Sequence, residues 1–260
     1  MFDNRITRGN NGSNNLSDND IFSDMPFEDW TRIHNYFNDF DSYLASDFTV
    51  SGTGTVAKAA GDGGLLTLTN SGAGSAFTSI QVTPVSFLMK NGFRAWGRFR
   101  FQVDNALANL AVGLINSTAT PFTGGSITDG IWLSTAATTA ITVQAAATSV
   151  SQGSVVIAPT LVVGQMFNFS FYYDGAQYVS QYQDFAFGKV IWQVDNLGFG
   201  TGGVTASARG QFKLASGAWS ATGLTPTFAV QNSTAVSRVL TADYMDVSTE
   251  RISPSVTPPF

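Results

Sequence analysis

The chain has 260 residues, of which 43% are apolar, 13% aromatic and 12% charged; the charged share is about half the usual one. That composition excludes a disordered polymer and supplies the core of one large β domain or two small ones. Thirteen Lys and Arg against eighteen Asp and Glu leave a net charge of −5, the wrong sign for a chain whose main partner is nucleic acid.

Cysteine is absent, which removes disulfides, thiolate zinc sites, iron–sulfur clusters and Cys nucleophiles together. The opening residues contain no apolar leader core, and no stretch reaches the length of a membrane span, so neither an export signal nor a membrane is expected. Charge is uneven: residues 1–50 carry nine acids and three bases, and residues 51–260 carry nine acids and ten bases.

Residues 1–22 hold six Asn and two Gly with little apolar periodicity and read as an arm, mobile alone or ordered by a neighbouring subunit. Asp24 as a cap, Pro26 in the first turn and Glu28 with Asp29 at the positive end of the dipole predict a short helix over 26–38. Phe27, Trp30, Ile33 and Phe37 recur at three- and four-residue spacing and form one aromatic stripe on it, to be buried on the chain's own sheet or against another chain. The domain plan is therefore an arm with this helix over 1–46, a β-sandwich over 47–250, and an extended tail over 251–260 that carries Pro254, Pro258 and Pro259.

From Asp47 onward short Val-, Ile-, Thr-, Phe- and Tyr-rich runs alternate with turn residues. Strands are expected over 48–52, 64–69, 76–82, 94–103, 108–115, 129–133, 140–146, 154–157, 166–173, 177–183, 186–193, 209–214, 226–231 and 237–247. Over 94–103, Arg94, Trp96, Arg98, Arg100 and Gln102 share one face while Ala95, Gly97, Phe99, Phe101 and Val103 share the other. Phe167, Phe169, Phe171 and Tyr173 alternate likewise, and Asp174-Gly175 offers a tight hairpin turn into 177–183. One helix, many strands and no alternating βα pattern predict an all-β, two-sheet antiparallel jelly-roll sandwich.

Chemistry is sparse. His34 is the sole histidine and lies outside the strands, while Glu28 and Glu250 are the only glutamates, so neither a Ser-His-Asp triad nor a glycosidase acid pair is formed. The Asp residues at 104, 129, 174, 184 and 195 fall at expected strand ends or turns, where Asp serves local geometry. No catalytic residue, metal or cofactor is assigned. Three cations on one face, Arg94, Arg98 and Arg100 around Trp96, repel one another unless acids, a glycan or a second subunit offset them; the acidic N-terminal region is one complement. Those four, with Phe27, Trp30, Ile33 and Phe37, are the interface candidates. Trp96, Trp132, Trp192 and Trp219 could stack on sugar rings, with core positions the preferred reading.

The segments Phe93–Phe101, Ala111–Ile115, Phe169–Tyr178 and Ala242–Val247 resemble a concanavalin A-like, laminin-G-like jelly roll across about residues 47–250. The opening Asn35–Tyr43, Asp47–Val50 and Gly61–Leu68 is similar to that of structural proteins of tailed-phage virions. This resemblance implies a noncatalytic virion protein on the capsid surface, a decoration or cement protein that self-associates and clamps the major capsid lattice through the arm and helix. The alternative is a carbohydrate-binding or receptor-binding module of a head or tail fibre. A sandwich-fold hydrolase ranks last, for want of the acid pair.

Overall fold

The computed structural model describes residues 33–61, 64–83, 87–89, 93–136, 140–157, 161–175, 188–197, 207–214, 219 and 223–250. They form two antiparallel sheets. The first, sheet A, holds β1 (Ile33–Asn38), β3 (Thr55–Ala59), β4 (Leu65–Thr69), β6 (Arg94–Val103), β11 (Met166–Asp174), β12 (Lys189–Leu197), β13 (Ser207–Lys213) and β15 (Val239–Glu250). Sheet B holds β2 (Phe48–Gly52), β5 (Phe77–Val82), β7 (Asn109–Asn116), β8 (Gly130–Thr135), β9 (Ile141–Ala147), β10 (Val150–Ile157) and β14 (Leu224–Gln231). Sheet A runs β13-β12-β11-β6-β15-β4-β3, with β1 also on β15, and sheet B runs β10-β9-β8-β7-β14-β5-β2. This is the two-sheet sandwich that the alternation predicts.

The core lies between the sheets and is rich in phenylalanine. Phe99 and Phe101 of β6 and Phe167, Phe169 and Phe171 of β11 are fully buried. Phe228 of β14 enters from sheet B and meets Phe99, Phe101 and Phe40 edge-on, at ring distances of 5.7, 6.3 and 6.3 Å. Such contacts add about 1 kcal/mol each to the burial itself. Gly97 makes room for this packing, because a Cβ there would lie 2.2 Å from the Phe171 ring. The inward set of β6 is thus the one its sequence alternation marks.

Beyond the additional edge strand β3, three features depart from the sequence reading. Residues 33–38, expected to end a helix, form strand β1, and the only helical element among the described residues is a 3₁₀ turn, Ala45–Asp47. The reason is an open edge. β4 covers β15 only over Val239–Ala242, and β1 takes the same edge from Met245 to Glu250. Asn35, a poor helix former, there donates to Asp246 Oδ1 at 2.9 Å and to Ser248 Oγ at 2.7 Å.

The sandwich also takes in residues assigned to the arm: β1, and Phe40, which is 0% exposed in the core. Phe40 adopts φ 60°, a strained conformation for a bulky residue, held by Asn38 Oδ1 accepting its N–H at 2.7 Å. Thirdly, Asp174-Gly175 is not the tip of a tight hairpin, since Asp174 pairs with Lys189. Tyr173 pairs with Ala95 on one edge and Val190 on the other, so both edges are taken and Asp174-Gly175 closes no hairpin; the expected strand 177–183 lies outside the described residues.

Candidate functional site

The outer face of sheet A carries the cations that the sequence singles out. Arg98 stands opposite Asp246 of β15, and Arg100 Nε lies 3.1 Å from Asp243 Oδ2. Asp243 is the extra residue of a bulge between Ala242 and Tyr244, and a bulge re-aims a side chain in this way. The Arg94 backbone N–H donates to Glu250 Oε2 at 2.9 Å. These acids come from β15. Tyr244 Oη donates to Asn168 Oδ1 at 3.4 Å, and burial pushes both the Tyr244 hydroxyl and the Asp246 carboxyl above their ordinary ranges, with Arg98 opposing the shift in each.

Trp96 is 1% exposed and stacks on Tyr172 at 5.5 Å, so its ring is not presented to a partner. Ile33 is buried, whereas Phe37 is 58% exposed with its ring 6.5 Å from Tyr244. The structure therefore gathers Arg94, Trp96, Arg98, Arg100 and β1 around β15, but with the tryptophan sealed. Phe27 and Trp30 lie outside the described residues. His34 packs its ring 4.7 Å from Phe87, and among the described residues no group of three or more His, Asp and Glu could hold a metal ion.

A concave site forms instead on the outer face of sheet B. Alternation puts Ile131, Leu133, Val143 and Ala145 into the main core and turns Trp132, Ser134, Gln144 and Ala146 outward. The segment after β7 folds back over this face: Phe122 and Ile127 pack on Ala111, Ile115, Trp132 and Ala146, and Phe122 meets Phe77 edge-on at 6.2 Å. Between that segment and the sheet is a cavity of about 410 Å³, within the range of small-molecule sites. Phe122, Ile127 and Trp132 give it apolar walls, and Ser134, Gln144, Ser149 and Ser151 give it neutral polar groups. Among the described residues, the lining includes no Asp, Glu, Lys, Arg or His.

Asn116 and Asp129 hold the segment in place. Asn116 Oδ1 accepts from Thr128 N at 2.8 Å and Asp129 N at 3.2 Å, and its Nδ2 donates to Ser126 O at 3.0 Å. Gln81 Nε2 donates to Asn116 O at 3.3 Å, while Gln81 Oε1 accepts from Thr118 N at 3.0 Å. Of the cavity residues, sequence reasoning marked only Trp132. The others are neutral and scattered through an Ala-, Thr-, Ser- and Gly-rich stretch that reads as loops and edge strands.

No protein-family model and no curated protein matches the sequence. Solved structures do match the fold. Peanut lectin superposes with a TM-score of 0.57 at 11% identity, over 84% of this chain and 97% of the lectin. An endo-1,3-beta-glucanase from Streptomyces sioyaensis gives 0.54 at 14% identity, over 86% and 98%. Arcelin-5, a lectin-like defence protein from Phaseolus vulgaris, gives 0.54 at 11% identity, over 84% and 98%. The chain thus has the concanavalin A-like jelly-roll fold that lectins and glucanases share, and at these identities the likeness is one of fold.

Proposed function

We propose that the chain is a noncatalytic carbohydrate-binding module, of the kind a head or tail fibre would use for receptor recognition. The observation that carries this reading is the cavity of about 410 Å³ on sheet B, walled by Phe122 and Trp132 and edged by Ser134, Gln144, Ser149 and Ser151. An apolar wall with a few neutral hydrogen-bonding groups suits a pyranose, which has an apolar face and a rim of hydroxyls. The noncatalytic part is supported by the chemistry of that lining, since glycoside hydrolysis needs two carboxyl groups flanking the bond and the described lining offers none.

The test is a screen of the full chain against neutral oligosaccharides, followed by calorimetry on any hit. Saturable binding that falls by about tenfold or more in Gln144→Ala and Phe122→Ala is expected, given the magnitude of one lost hydrogen bond or ring contact. Binding that ignores both substitutions overturns the site, and release of new reducing ends overturns the noncatalytic assignment.

Capsid cementing ranks behind this reading. It relied on an aromatic helix reaching a neighbouring subunit, and residues 33–38 of that segment are instead a strand bonded to β15. A protein count on purified particles separates the two: copies in register with a capsid lattice would restore cementing, and a few copies on fibres would support receptor binding.

A further inference from the structure

The turn that joins β9 to β10 is closed by two residues, since Ala147 pairs with Val150. Both residues between them, Thr148 and Ser149, have positive φ, 52° and 64°. Such a turn favours Asn-Gly or Gly-Gly, and a β-branched Thr in that conformation is an outlier. Nothing in hairpin closure asks for these residue types.

Two hydrogen bonds impose the conformation. Thr148 N donates to Asp129 Oδ1 at 2.8 Å, and Ser149 N donates to Thr128 O at 2.8 Å. Asp129, 4% exposed, uses its other oxygen to accept from Thr128 Oγ1 at 2.8 Å. One buried carboxylate thus ties the strained turn to the base of the segment that roofs the cavity. The outcome is that Ser149, an exposed residue, borders the cavity mouth. Backbone strain kept in place by its surroundings concentrates where a ligand is clamped.

From this geometry we infer that Ser149 is a specificity-determining contact for the bound saccharide and that Asp129 is its positioning residue. The inference rests on the carbohydrate-binding reading and adds which ligand feature is read: one ring hydroxyl, by the Ser149 Oγ. A site that hydrogen-bonds a hydroxyl rejects the analogue lacking it, because its own polar group is left unpaired.

The experiment compares Ser149→Gly, Thr148→Gly, Asp129→Ala and Asp129→Asn in the full chain, by thermal melting and by calorimetry with the oligosaccharide from the screen and its monodeoxy analogues. Glycine suits positive φ, so Ser149→Gly keeps or raises the melting temperature while weakening binding by about fivefold to tenfold, the size of one hydrogen bond. It also loses discrimination against one deoxy analogue, a coupling that a purely structural residue would not show. Thr148→Gly leaves affinity unchanged. Asp129→Ala weakens binding, and Asp129→Asn, which keeps an acceptor for Thr148 N, restores part of it. Unchanged affinity and discrimination in Ser149→Gly, with the unaltered chain binding normally, overturns this inference alone. Failure of the unaltered chain to bind any saccharide removes the carbohydrate reading and this inference with it.

Discussion

Arg100 and Asp243 meet across adjacent strands at 3.1 Å, with side chains 24% and 14% exposed, because a bulge in β15 inserts Asp243 between residues that keep the regular register. Pairs of intermediate burial fall between weak surface ion pairs and costly buried ones. Asp243→Ala should therefore destabilise the fold by about 1–2 kcal/mol, measured by urea unfolding. Loss of less than a tenth of that would mean the bulge is kept for its backbone shape.

Asp246 predicts an unusual pH response. Burial raises its folded carboxyl above the ordinary 3.8, against the pull of the Asn35 hydrogen bond and Arg98. The folded state thus holds its proton more tightly than the unfolded one. The stabilising contribution is full below 3.8 and disappears as pH rises through the raised value. At neutral pH the ionised group is a burden, so Asp246→Asn, which keeps the Asn35 acceptor, should gain stability relative to the unaltered chain at pH 7 and lose that advantage below the ordinary carboxyl value. Paired unfolding curves at the two pH values check the sign.

Gly97 and Gly74 should respond oppositely to alanine. The new Cβ would meet the Phe171 ring at 2.2 Å in the first case and nothing within 4 Å in the second. Overpacking of this kind costs about 1–3 kcal/mol, so Gly97→Ala lowers the unfolding midpoint and Gly74→Ala leaves it nearly unchanged.

Asn116→Ala removes four backbone partnerships at once, with Thr128 N, Asp129 N, Ser126 O and Ser117 O. Leaving such groups without partners costs about 1–3 kcal/mol. Hydrogen exchange should accelerate at Thr128 and Asp129, both amides that Asn116 now protects, while the Phe-rich strands β6 and β11 stay protected. Equal acceleration everywhere would show that the segment is not a separate unit.

Strict alternation made most of the fold readable. Phe99 and Phe101 against Arg98 and Arg100 leave no second solution for β6, and Phe167 to Tyr173 does the same for β11. The strand Thr55–Ala59 is not legible in the sequence because Ala57, Lys58 and Ala59 carry little β signal at a sheet edge. At β1 the spacing of Ile33 and Phe37 imitates a helix, while the deciding facts, an uncovered stretch of β15 and the Asn35 bonds to it, belong to a strand more than two hundred residues away. The cavity was hidden for a related reason. Its polar groups are Ser, Thr and Gln, residues with no motif of their own, and Asp129 looks like any turn aspartate until Thr148 and Thr128 are seen to share it.

β15 pairs with β6 along one edge and with β4 and then β1 along the other, so three strands made earlier all wait for residues 239–250 to emerge from the ribosome. Until then the nascent chain exposes the flank of β6 and the far side of β4, both open to pairing with other polypeptides. Synthesis at high concentration, or truncation before β15, should therefore yield aggregates by edge association, and the sequence separation of these pairings makes closure of sheet A a slow, late event in assembly.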